Sequence, residues 1–163
     1  MPLTRRENLL KYAEETAYSS KGHFKTADFN KISLRFYIIV PIVLSIFLII
    51  YPGLPQEIIR ILNLLNIIFA ILALTSPLVS NQDQACKRID EHMSLGNSYL
   101  ALHKEIRNLA AEAEITKEQL DEITKKMSEL DHQSRSLHIS FFGRLWSKFT
   151  IHKEMDIEWI YQK

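Results

Sequence analysis

The sequence predicts an all-α membrane protein. Its centre is a two-helix transmembrane hairpin whose helices extend into an antiparallel cytoplasmic stalk. C-terminal helices follow, and several copies are expected to form an oligomeric bundle. Three observations predict this class. Apolar residues are gathered in one block from Leu34 to Ser80, broken once at Pro52-Gly53-Leu54-Pro55-Gln56-Glu57. The flanks are charged and carry apolar residues at spacings of three and four, the period of a helix face. Lysine and arginine crowd both flanks and are missing from the break.

Whole-chain averages hide this pattern. Of 163 residues 47% are hydrophobic, but a soluble domain would spread them at helix or strand period. The expected division is a cytoplasmic helix over 1–33, a hairpin over 34–80, a cytoplasmic helix over 81–113, and C-terminal helices with an aromatic tail over 114–163. The spans themselves cover about 34–51 and 58–80. The first supplies about 17 apolar residues against the roughly 20 a bilayer needs, a shortfall that thinning or snorkelling accommodates.

The arm opens on Thr4-Arg5-Arg6-Glu7, a capping box that starts a helix. Leu10, Ala13, Ala17, Ser20, Phe24 and Ala27 then form a narrow seam suited to one partner helix. Gly22 either permits a close approach or marks a short break. The arm carries Arg5, Arg6, Lys11, Lys21, Lys25, Lys31 and Arg35, and Lys87 and Arg88 follow the second span. By the positive-inside rule both ends face the cytoplasm and the short turn faces outside.

The first span holds Pro41 and Ser45 on roughly one face, which reads as a mild bend. In the second, Arg60 lies near the outer end and reaches the interface. Asn63 and Asn66 lie deeper and share a face with Ala70, Ala73 and Pro77. Two unpaired amides in hydrocarbon cost several kcal/mol, so this face should meet protein or water. Either the amides bond between helices while the alanines allow close packing, or the face lines a polar pathway. Neither span contains an acidic residue, which disfavours a proton relay or a carboxylate-based carrier.

After the second span, Cys86, Ile89, Met93, Gly96, Leu100, His103, Ile106 and Ala110 keep helical spacing. This helix and the arm should pack antiparallel, with stalk contacts at Ala13, Ala17, Phe24, Gly96 and Tyr99. Thr116-Lys117-Glu118-Gln119 is a second capping box, opening a helix to about Leu130. Leu120, Ile123, Met127 and Leu130 share its apolar face. In the tail Phe141, Phe142, Leu145, Trp146 and Phe149 cluster on one side, with Arg144 and Lys148 opposite. That side packs on its own domain or a neighbouring subunit, or lies at the membrane surface. Phe142, Trp146, Phe149 and Trp159 are the docking candidates.

Enzyme chemistry is not indicated. With four glycines there is no phosphate loop, and no H-E-x-x-H, G-x-S-x-G or dinucleotide fingerprint occurs. Asp90, Glu91 and His92 are consecutive, so on a helix they point apart. Cys86 is the one cysteine, which excludes an intrachain disulfide. No metal or cofactor is expected. Net charge is +1 and basic residues are mixed with acids, so no nucleic-acid groove is indicated.

The chain resembles the SLATT domain, a two-span effector domain associated with nucleotide-second-messenger and related bacterial defence operons. Lys21-Gly22-His23-Phe24 with Ala27, Ile32-Ser33-Leu34, and Leu44-Ser45 carry the resemblance before the turn. Gly96-Asn97-Ser98-Tyr99-Leu100 with Leu102, Glu105 and Ile106 carry it after the second span, as does Ile115-Thr116-Lys117-Glu118-Gln119-Leu120. It covers roughly residues 7–130 and leaves out the aromatic tail. The resemblance implies a non-catalytic effector that oligomerises and permeabilises the bacterial inner membrane, triggered by a separately encoded sensor. Its expected partners are membrane lipid, further copies of itself and that sensor. The competing expectation is a membrane anchor that holds a cytoplasmic partner through the stalk and tail.

Overall fold

The structure, a computed structural model, describes residues 4–75, 81–112, 114–155 and 157–161. Among these the chain forms six helices and no strand: α1 (Arg5–Ile50), α2 (Gln56–Thr75), α3 (Gln82–Ala110), α4 (Lys117–Ser134), α5 (Phe141–Glu154) and α6 (Glu158–Tyr161). They divide into two compact units, Met1–Ala27 with Asp90–Lys163, and Asp28–Ile89.

The first unit is a helical bundle whose segments alternate in direction. The start of α1 lies antiparallel to the end of α3. Ala13 meets His103, Ser20 meets Gly96, and His23 meets His92. Small residues set this spacing: Ala13, Ala17 and Ser20 are fully buried, and Gly96 admits the Phe24 ring. A Cβ at 96 would stand 2.8 Å from that ring. The buried face of α3 is broader than the predicted seam and turned by one residue. Leu95, Tyr99, Leu102 and Leu109 are buried, while Cys86 and Met93 are exposed and Leu100 is half-buried. The cause is a second neighbour. α4 lays Ile123 and Met127 into the same core, and its Asp131 accepts a 2.8 Å hydrogen bond from the Tyr99 hydroxyl. A seam drawn for one partner helix is too narrow for two.

Both predicted capping boxes form. The Glu7 amide donates to the Thr4 hydroxyl at 3.2 Å, and the Thr4 amide donates to the Glu7 carboxylate at 2.7 Å. The latter bond holds the Glu7 carboxyl below its ordinary range. At α4 the Gln119 amide donates to the Thr116 hydroxyl, and the Thr116 amide donates to the Gln119 side chain. The helix runs one turn past Leu130, to Ser134. Gly22 lies inside α1 rather than at a break, and serves close approach: a Cβ there would stand 2.7 Å from Ile139 Cδ1.

The second unit contains the apolar parts of α1 and α2, joined through a turn from Tyr51 to Pro55. α2 has 20 residues, hence a length of about 30 Å, which matches a hydrocarbon core. The most apolar windows of α1 and α2 have mean hydropathies of 2.4 and 2.2. Only 6% and 0% of those windows are buried in the chain. Helices in the core of a soluble protein would be mostly buried. Here Ile, Leu and Phe point outward along both helices, far beyond the apolar patches soluble surfaces tolerate. Lipid is the solvent that fits them.

Candidate functional site: the hairpin and its asparagine edge

The hairpin's polar groups are few, so each is informative. Phe36 and Phe69 meet edge to face at 5.5 Å, one contact of the pair. Deeper in the hairpin the Asn66 carboxamide donates to the Ser45 hydroxyl at 3.0 Å. Asn66 is thereby half-buried between the two helices, as is Ala73 one face-length on. Ser45 is the partner that the second span alone could not name. It is the one hydroxyl-bearing serine or threonine between Arg35 and Ile50.

Asn63 is placed differently. It is exposed, as is Ala70, and the two lie together along one border of the face that Asn66 and Ala73 turn inward. The predicted five-residue face is therefore split. Asn66 and Ala73 serve the hairpin, and Asn63 and Ala70 look outward. Pro77 lies outside the described residues. Arg60 is exposed one turn before Asn63, four residues from the start of α2. No acidic side chain lies between Ile58 and Thr75.

In the helical bundle, Ala13, Ala17, Gly96 and Tyr99 are buried, and Phe24 is half-buried against Gly96. Three histidines that sequence reasoning gave no joint role occupy this core. His103 Nδ1 lies 2.9 Å from the Ala13 carbonyl oxygen, which can only accept, so Nδ1 carries the proton. His23 and His92 approach Nδ1 to Nδ1 at 2.8 Å. The Tyr99 ring stacks on His23 at 5.8 Å. Burial, with His92 adding a smaller contribution, pushes the His23 pKa down to about 4. Burial also pushes the Tyr99 hydroxyl up to about 12. Both groups are neutral at physiological pH. His92 and His103 share one face of α3 at an eleven-residue spacing, and His23 comes to His92 from the other helix. Among the described residues no three His, Cys, Asp or Glu side chains converge as metal ligands do.

The tail candidates fall on both sides of their helices. Trp159 is half-buried in the bundle with its ring 5.8 Å from His103. Phe142, Trp146 and Phe149 are exposed. α5 instead packs through Gly143, Ser147 and Ile151. Of the three placements expected for the aromatic side, packing on its own domain is the one the structure does not show: the small side packs there, and the neighbouring subunit and the membrane surface stay open. Gly143 explains why, because it lets the α5 backbone approach α1 more closely than any larger residue would.

One comparison with known proteins gives a match. The family described as SMODS and SLOG-associating 2TM effector domain 6 matches residues 5–163. That span includes the tail, which the sequence resemblance left out. No curated protein and no solved structure matches the chain.

Proposed function

The chain belongs to the SMODS and SLOG-associating 2TM effector domains, and from that premise we propose that it is a pore-forming effector of the bacterial inner membrane. Copies associate through the hairpin and permeabilise the bilayer when a separately encoded sensor of the same defence system triggers them. The protein acts without catalysis, and both termini face the cytoplasm. The charge pattern supports that orientation: six Lys and Arg precede the first span, Arg35 stands at its start, and none lies in the turn.

One observation carries the reading. Asn63 presents an exposed carboxamide about 10 Å along an apolar helix, beside the small Ala70. In hydrocarbon such a group requires a partner. Asn66 finds one within the chain, whereas Asn63 is left for a neighbouring copy or for water in a pathway between copies. Small residues beside it favour close helix approach.

The test is dye release from vesicles containing the full chain, alone and with the products of adjacent genes. Asn63→Leu should abolish release while insertion is unchanged. Asn66→Leu should weaken the hairpin and reduce release less. Release by Asn63→Leu at the native rate would sink the reading.

The exposed aromatic face of α5 favours a second reading, a non-enzymatic anchor that recruits a cytoplasmic partner. It predicts a fixed small oligomer, no release under any trigger, and loss of the partner on Trp146→Ala.

A further inference from the structure

α5 is held by its narrow side, and the way it is held fixes what the wide side presents. A Cβ at position 143 would collide with the Thr26 hydroxyl and stand 3.0 Å from the Gly22 carbonyl oxygen. The Gly143 amide donates to the Ser140 hydroxyl at 3.0 Å, and the Ser140 amide donates to the Thr26 hydroxyl at 3.1 Å. Ser147 and Ile151 continue the buried line at four-residue intervals. With that side seated, Phe141, Leu145, Trp146 and Phe149 are 73%, 43%, 62% and 78% exposed. They form one continuous apolar face. Arg144 and Lys148, one turn apart and exposed, run along one border of it rather than opposite it, where the buried Gly143, Ser147 and Ile151 lie. From Phe141 to Ile151 the helix has no acidic residue.

We infer that this face is a membrane-interface anchor that rests on anionic lipid. Three properties select lipid over a protein partner. The composition, Trp and Phe with Arg and Lys alongside, is that of helices lying at the headgroup boundary. The charge is of one sign. A contact between two copies of this face would add Arg144 and Lys148 from each with no acid on the face to neutralise them, whereas anionic headgroups do so. The covalent chain also limits how far the residue that seats α5 can stand from the first apolar run. Ser140 is bonded to Thr26, and Thr26 precedes Leu34, the start of the first apolar run, by eight residues. Whatever path those residues take, they span at most about 29 Å. The inference stands whether or not the hairpin opens a pore, and it excludes recruitment of a cytoplasmic partner through this same face.

Its test uses the full chain reconstituted in vesicles of mixed phosphatidylglycerol and phosphatidylcholine. Trp146 and Trp159 are the only tryptophans, so Trp159→Phe leaves Trp146 as the reporter. Lipids brominated near the headgroup end of their chains should remove most of the Trp146 emission, and aqueous acrylamide should lose its effect. Arg144→Glu with Lys148→Glu, or vesicles of phosphatidylcholine alone, should restore much of the emission. Trp146 that stays open to acrylamide and insensitive to bromine overturns the inference. Protection from both quenchers also overturns it, because that is contact with protein. Bromine quenching that is equal without anionic lipid overturns the charge requirement.

Trp159 packs in the bundle, so a second reporter covers loss of folding in its variant. Cys86→Ser with Phe149→Cys places one nitroxide label on the face. The label should be more accessible to oxygen than to a water-soluble nickel complex. The reverse order overturns the inference.

Discussion

His23 and His92 meet Nδ1 to Nδ1 at 2.8 Å across two antiparallel helices, both buried, with the Tyr99 ring stacked on His23. One nitrogen must donate and the other accept, so the contact needs at least one neutral ring. Protonating both sets two positive charges against each other in a site that water does not reach.

The first prediction concerns pH. Folded His23 titrates at about 4, below the 6.5 of an unfolded histidine. Above pH 6.5 both states are neutral and His23 adds no pH dependence. Between 6.5 and 4 the unfolded chain takes up a proton that the folded chain refuses, so stability falls as pH falls. The loss approaches about 3 kcal/mol near pH 4 and then levels, at roughly 1.4 kcal/mol per pKa unit. Denaturant unfolding of the detergent-solubilised chain from pH 7 to 4 measures it. His23→Gln should flatten the slope in that window, and an unchanged slope would refute the assignment to His23.

Glycine 143 should be intolerant and glycine 53 tolerant. Gly143→Ala drives a methyl into Thr26 and the Gly22 carbonyl, an overpacked contact costing about 1–3 kcal/mol. At Gly53 a Cβ meets nothing within 4 Å and the backbone has no positive φ, so Gly53→Ala should be near neutral. Thermal unfolding of both variants compares them.

The two asparagines should separate functionally. Asn66→Leu removes the bond to Ser45, worth on average about 0.6 and at most about 1.7 kcal/mol in membranes. It should weaken the hairpin without changing subunit number. Asn63→Leu should leave the hairpin intact and lower the subunit number, read by native mass or by photobleaching steps. Equal effects in the two variants would count against the division.

Removing the α4 cap tests the bundle alone. Thr116→Ala loses the hydroxyl that accepts from the Gln119 amide, costing about 1 kcal/mol. Amide exchange should rise first in α4 and leave α2 unchanged.

Much of this architecture could be read from residue order. The apolar block, its single break and the two capping boxes depend on local chemistry, and Thr4, Glu7, Thr116 and Gln119 pair as their spacing requires. The width of the buried face on α3 was not legible. It depends on α4 folding back along it, a contact between Tyr99 and Asp131 that no periodicity within either helix announces. The seating of α5 was hidden for a related reason. Its aromatic side carries the stronger hydrophobic signal, but Gly143 decides which side packs, and a single glycine leaves no periodic trace. Asn66 was read as polar glue or pathway from its own span, and Ser45 on the other helix distinguishes it from Asn63.

The three cross-helix contacts at Ala13–His103, Ser20–Gly96 and His23–His92 have a kinetic consequence. They work like the marks of a vernier, coinciding at one setting only. A slip of one helical turn, about 5.4 Å, would break all three together. It would also carry Phe24 off Gly96 and onto residues that have side chains. Sliding therefore meets a barrier at every intermediate setting, while parting the helices breaks the same bonds without the collisions. If this pair rearranges, it does so as a clasp opens, in one step and with all three histidines released to water at once.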